Sequence, residues 1–396
     1  MVNEYFAIHS YGDTLEYYLF ELANFSALAF FAVFLYKLNY INSNSLLAWL
    51  AIFFTPLIFN YFIISPMLFG DQFTYAQEVM SQKAPLTAPL DLDKGQNAVN
   101  LAAKVLGVVP LPSYMTVTSL AFANKFFLFV TFLWFKRFFS NENEVLLYFL
   151  LPSLIIYSSM GLRDTLIIVI SVMFIINLIR DRYVFALAFL LPLFTLKIQM
   201  FSFLLLYFIA RLFFRAHKNY YLLILFVLAV MIGGFIMEEQ ILKVLNVYRL
   251  AFAMEDFVAF DGSRSYRAFG AYGDGISETL ELSSLAEVIF KAFLNLPIFF
   301  IMPLPWNWTN IFYPVQAFES WLLIYLYVRL GVKQNLYKNP EFILLTFILM
   351  VGSSIYALFM FNEGTFVRYR FSLYYPFLLA AFYLSNKSYK LAKKEY

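Results

Sequence analysis

The sequence predicts an all-α, polytopic integral-membrane protein, and three features carry that prediction. Hydrophobic residues make up 62% of the chain and charged residues only 13%, with a mean hydropathy of +0.72, a balance that belongs to membrane chains and not to water-soluble domains. The apolar residues fall in long runs, near the ~20 residues a helix needs to cross a bilayer. Basic residues gather at alternate ends of those runs, as they do where cytoplasmic loops retain positive charge.

Taken in order, the runs are Leu19 to Leu38, Leu46 to Phe69, Tyr114 to Trp134, Val145 to Met160, Thr165 to Ile179, Tyr183 to Leu196, Met200 to Phe214, Tyr220 to Met237, Val315 to Leu330, Phe342 to Phe361 and Phe371 to Leu384. This gives about eleven crossings, within a range of about ten to twelve. Lys37, Lys136 with Arg137, Arg180 with Arg182, Arg211 with Arg215 and Lys218, Arg329 with Lys333 and Lys338, and the Lys387 to Lys394 tail share one side if the runs alternate. That side reads as the cytoplasm. The amino terminus and two long loops, 70–112 and 238–287, then lie outside, and the carboxyl terminus inside.

Alternation holds only if the apolar stretch beginning at Val288 does not cross. With Pro297, Pro303 and Pro305 in it, 288–312 reads as a re-entrant or interfacial hairpin, admissible at membrane depth where protein or a water-filled cavity satisfies its backbone. The first sixteen residues hold no Lys or Arg, so the first run reads as a retained helix, not a signal peptide. No internal repeat or long Gly/Ser linker divides the chain, and residues 1–396 read as a single transmembrane domain.

Several function classes fall away. A net charge of +3, evenly spread, argues against nucleic acid as partner. The chain has no cysteine and only two histidines, His9 and His217, which excludes disulfides, thiolate chemistry and a histidine-rich metal site. No P-loop or dinucleotide fingerprint is present, so the energy for any reaction has to arrive stored in a membrane substrate.

The stretch that organises the rest is Ser158-Ser159-Met160-Gly161-Leu162-Arg163-Asp164-Thr165, a charged turn between two apolar runs. An arginine there needs water, an anion or a carboxylate. Asp164 is one partner within reach; a lipid-borne phosphate, gripped by two parallel hydrogen bonds, is the other. Lys197, Arg249, Arg264, Arg267, Arg368 and Arg370 join Arg163 in falling on the outer face, where an anionic head group would sit.

Gly70-Asp71-Gln72-Phe73-Thr74-Tyr75 follows the second run, and Asp71 is a candidate general base for a sugar hydroxyl, or a residue in a solvated turn. Arg264, Tyr266 and Arg267 lie in a Gly-rich loop after an amphipathic stretch, a build suited to a lid. There Tyr can stack on a sugar and Arg can hold an anion. Lys197 interrupts two apolar runs as Arg163 does. Glu319, inside an apolar helix, is an ionisable candidate for function or for a structural pair with a residue such as Lys291.

Gly70-Asp71 with Tyr75, the Gly161 to Asp164 turn, the large late outer loop, and Pro303-Leu304-Pro305-Trp306 followed by Glu319 together resemble the integral-membrane oligosaccharide repeat-unit polymerases, the O-antigen polymerases (Wzy) and EpsG-like exopolysaccharide polymerases. Some members carry an outer-loop arginine followed ten residues later by a glycine, and Arg264 and Gly275 stand at that spacing. The resemblance implies an enzyme of the bacterial cytoplasmic membrane that polymerises undecaprenyl-pyrophosphate-linked repeat units at the outer face. Asp71 and Arg163 would be its catalytic residues. Lys197, Arg264, Tyr266, Arg267, Arg368 and Arg370 would hold pyrophosphate and glycan. It implies membrane lipids as surroundings, a chain-length regulator and a flippase as partners, and neither metal nor cofactor. A polyprenyl-phosphate-sugar glycosyltransferase of the GT-C kind and a lipid-linked oligosaccharide flippase are the alternatives. A ligase would want a catalytic histidine on the outer face; His217 falls on the cytoplasmic side and His9 precedes the first run, which disfavours it.

Overall fold

The computed structural model describes residues 15–63, 71–83, 97–217, 236–243, 245–246, 249, 282–305, 312–333, 335–359 and 363–392. Secondary structure among them is helical throughout, as the composition requires. Three helices are long and apolar enough to cross a membrane by length and composition: Tyr18–Lys37, Val117–Lys136 and Pro340–Leu358. Shorter apolar helices include Ser43–Ile58, Asp164–Ile179, Tyr183–Leu196 and Ile198–Phe213. The single domain read from the sequence divides into two compact units, residues 1–201 and 202–396, each with its own packed interior.

The first unit contains α1 (Leu15–Lys37), α2 (Ser43–Ile58) with a π turn at Phe59–Ile63, α3 (Asp71–Lys83), α4 (Asn97–Gly107), α5 (Val117–Lys136), α6 (Glu142–Phe149), α7 (Pro152–Ser158), α8 (Asp164–Ile179) and α9 (Tyr183–Leu196). Helix α10 (Ile198–His217) carries the chain from this unit into the second. Helix α5 is the hub, packing against α1, α2, α3, α4, α6, α7 and α8. Its lower half meets a ring cluster in which Trp49 and Phe129 centroids lie 4.8 Å apart and Phe132 and Phe149 5.4 Å apart. All four of these rings are fully buried.

Side chains fix the helix ends. Asn42 accepts from Ser45 N at 2.8 Å to start α2, and Thr116 accepts from Ser119 N at 3.1 Å to start α5, each satisfying one orphan amide of a first turn. The loop into α5 is clamped by buried Asn24, which donates to Ser113 O (2.9 Å) and accepts from Ser113 N (3.0 Å). The Tyr114 hydroxyl lies 2.8 Å from Leu106 O and 2.7 Å from Val109 O. At the other end Lys136 pairs with Glu142 at 2.9 Å and also donates to Tyr40 O.

One expectation changes here, and one region gains detail. The run Val145 to Met160 is not one helix but α6 and α7. Pro152 supplies no amide and disfavours helical geometry at Leu151, whose ψ of 131° is extended. The region 70–112, read as an outer loop, carries α3 and α4, which pack on each other and on α5.

The second unit contains the later part of α10, α11 (Leu285–Ile301), α12 (Phe312–Lys333), a short 3-10 turn at Leu336–Lys338, α13 (Pro340–Phe359) and α14 (Glu363–Ala392). Helix α11 packs on α12, α13 and α14, and α14 also meets α12 and α13. Within the proposed hairpin, 285–301 is one helix running through Pro297 and ending at Met302; residues 306–311, with Trp306 and Trp308, lie outside the described residues.

Candidate functional site

In the first unit the chain leaves the helical state between α7 and α8, at the stretch the sequence singled out. Irregular backbone inside a helical bundle has to find partners for its amides and carbonyls. Here polar side chains supply them. Asn60, in the π turn, donates to Ser159 O at 2.7 Å, and the Thr55 and Ser159 hydroxyls share a 2.7 Å bond. Gln72 accepts from Gly161 N at 2.7 Å. Asn124 donates to Met160 O and Leu162 O, both at 2.8 Å. Lys125 donates to Ile155 O at 2.9 Å and Ser158 Oγ at 2.8 Å.

Gly161 is required by space. A Cβ there would stand 3.1 Å from Leu120 Cβ and 3.2 Å from Val117 O, so the turn lies directly on the first turn of α5. Ser158, Ser159, Met160, Gly161, Leu162 and Asp164 are all buried, and Arg163 is the half-exposed member of the group.

Arg163 flanks the amino end of α8, its carbonyl accepting from Ile167 N at 3.1 Å. Its guanidinium makes no hydrogen bond or ion pair with the described residues, the adjacent Asp164 included. Asp164 is buried in the first turn of α8, where the partial positive charge of a helix start favours a carboxylate. The bland pairing of the two neighbours is therefore not made, and among the described residues nothing takes up the five guanidinium donors.

Asp71 is the first residue of α3. The sequence placed it in a turn closing a helix; it opens one. The next residue, Gln72, makes the bond to Gly161, so two segments chosen separately in the sequence, around Asp71 and around Arg163, meet in the fold. Lys197 is buried and extended (φ −160°, ψ 92°) between α9 and α10, with other interactions of its own.

The candidates in the second unit have different surroundings. Arg370 is buried and donates to Phe299 O (3.1 Å), Phe300 O (3.4 Å), Met302 O and Ser320 Oγ. It serves the last carbonyls of α11, where the helix is partially negative. Arg249 is likewise buried and donates to Leu358 O near the end of α13, beside an Asn295 bond to Ala357 O of 3.3 Å. Arg368 is half-buried and engaged. Glu319 is buried with an interaction of its own; Lys291 instead pairs with Glu287 at 2.6 Å. Arg264, Tyr266, Arg267 and Gly275 lie outside the described residues.

Sequence reading missed Lys125 and Asn124, both fully buried on the hub helix. The signal was present: an ionisable residue in the middle of an apolar run is a functional candidate by default. Among the described residues no three histidines, aspartates or glutamates form a metal ligand set. Comparisons with family models, with curated proteins and with solved structures returned no match.

Proposed function

We propose that this chain polymerises undecaprenyl-pyrophosphate-linked oligosaccharide repeat units at the outer face of a bacterial cytoplasmic membrane, crossing it about eleven times with the amino terminus outside. The observation that supports this reading is Arg163: a half-buried guanidinium with no hydrogen bond or ion pair among the described residues, on a break whose backbone is held by side chains of the π turn, α3 and α5. A guanidinium so placed suits the two phosphates of a lipid pyrophosphate.

In the reaction, the bond between the anomeric carbon of the growing chain and its pyrophosphate oxygen breaks, and a bond forms from that carbon to a hydroxyl of the incoming unit. The hydroxyl proton passes to a base, for which Asp71 is the candidate. The electron pair leaves with the pyrophosphate, whose growing charge Arg163 stabilises.

One observation favours a second reading. Lys125, in the middle of the hub helix, is an intramembrane ionisable group, as transport pathways use, which suits a lipid-linked oligosaccharide flippase. Gel analysis of surface glycan from the native host, with the gene deleted and then restored, separates the readings. A ladder that collapses to a single repeat unit on its acceptor supports the polymerase. A persisting ladder with one sugar missing from each unit points to the single-sugar transferase, and undecaprenyl-linked units accumulating on the inner leaflet point to the flippase.

A further inference from the structure

The break between α7 and α8 is held by side chains as well as by backbone bonds. The break after α8 is closed by backbone bonds from Asp181 N to Leu178 O (2.9 Å) and Arg182 N to Asn177 O (2.9 Å). The one at Lys197 uses Lys197 N to Leu193 O (2.8 Å) and Phe201 N to Lys197 O (3.0 Å). Around Gly161, side chains from three helical elements reach the backbone.

One of those side chains is not needed by the atoms it meets. Ile155 O already accepts from Ser159 N at 3.1 Å and from Ser159 Oγ at 2.6 Å, and the Ser158 hydroxyl has Leu154 O as its own acceptor. Lys125 is therefore surplus to local hydrogen bonding, and among the described residues its amine meets no carboxylate. Asn124 straddles Gly161 with its amide, while its own Oδ1 is buried without a hydrogen-bond partner. An orphan oxygen and an acid-free lysine in a bundle interior are costly. Protein interiors retain such groups where a site has to be held in one geometry.

We propose that Asn124 and Lys125 are positioning residues that fix the 155–162 backbone so that the Arg163 guanidinium is presented, preorganised, to a phosphate-class anion. Asn124 holds the carbonyls on either side of Gly161, two residues from Arg163, and Lys125 holds the end of α7 that feeds the break. The inference rests on Arg163 being the pyrophosphate contact. Fixing a single guanidinium direction beforehand removes an ordering cost from binding.

The test uses the full chain in lipid nanodiscs with inorganic pyrophosphate as probe. Titration calorimetry reads its affinity, and thermal unfolding without ligand is recorded in parallel. Arg163→Ala should abolish binding. Asn124→Leu and Lys125→Met, which remove the hydrogen bonds at similar volume, should each weaken binding about tenfold or more; the unfolding temperature should fall in Asn124→Leu, which strands Met160 O and Leu162 O, and stay unchanged or rise in Lys125→Met. Lys125→Gln, still able to donate to Ile155 O and Ser158 Oγ, should return affinity to within about threefold of the unaltered protein.

If Asn124→Leu and Lys125→Met bind pyrophosphate normally while Arg163→Ala does not, the positioning role is wrong and the reading of Arg163 stands. If Arg163→Ala binds normally, both fall. A drop in unfolding temperature together with affinity in Lys125→Met, unrelieved by Lys125→Gln, assigns Lys125 to stability and overturns the proposal.

Discussion

Replacing Gly161 by alanine tests whether the break lies where the site needs it. The added Cβ would meet Leu120 Cβ at 3.1 Å, Val117 O at 3.2 Å and Leu120 Cδ1 at 3.4 Å. Two of those atoms belong to, or are rigidly attached to, the hub helix, so the turn has to lift by a few tenths of an ångström. Lifting strains the bonds from Gln72 to Gly161 N and from Asn124 to the carbonyls on either side. Gly161 lies outside the helices, so alanine brings no propensity gain, and the overpacking cost should be about 1–3 kcal/mol. Gly352 is the control. Its Cβ would meet Leu373 Cδ2 and Phe203 Cδ2, both at 3.3 Å, side-chain ends that can turn aside. It also sits inside α13, where alanine gains about 0.8–1 kcal/mol over glycine. Gly352→Ala should therefore be nearly neutral. Denaturant titration of both variants in detergent micelles reads the difference. Equal stability of the two, or a less stable Gly352→Ala, would refute the packing of the turn on α5.

Other outcomes follow from the second unit. Arg211 Nε reaches Glu341 Oε1 at 2.8 Å and Oε2 at 2.9 Å, with the Tyr207 hydroxyl also donating to Oε1. Arg211→Ala strands a largely buried carboxylate and should cost about 3 kcal/mol, most of it regained in Arg211→Ala with Glu341→Gln, as a double-mutant cycle would show. Arg370→Met leaves the carbonyls at the end of α11 without their donor and should cost about 3 kcal/mol in the same titration. Arg370→Lys should recover less than half of it, because one ammonium cannot fork to Ser320 as well as the carbonyls. Glu287 is held down to about 2, first by Lys291, then by Ser283 N and the Ser283 hydroxyl. A depressed carboxylate stabilises the fold above its unfolded value, 4.5, and that stabilisation is lost as pH falls towards about 2. Glu287→Gln should flatten the stability profile across that window, and an unchanged slope would remove Glu287 from the account.

Helix content, the turn at Gly161 and the interruption at Lys197 were legible because each leaves a local mark: an apolar run, a glycine beside charges, a lone lysine between runs. Other features leave no such mark. Lys125 vanished into the mean hydropathy of its helix, where it is one of two lysines among twenty residues and hardly lowers the average. Pro152 was passed over because the run around it is apolar throughout, although proline at that point divides α6 from α7. Arg370 and Arg249 stood out as positive charges on the outer side. Their acceptors, Phe299 O and Leu358 O, lie 71 and 109 residues away in sequence, a separation only the fold closes. The meeting of Gln72 with Gly161, 89 residues apart, was equally out of reach, though both segments had been picked for their chemistry.

The most direct test of Arg163 as the pyrophosphate contact is made in the native host with the gene deleted and Arg163→Ala supplied at the membrane abundance of the unaltered protein. The surface glycan gel should then show single repeat units in place of a ladder, as in the deletion itself. A full ladder of long chains from that variant would contradict the account at its centre.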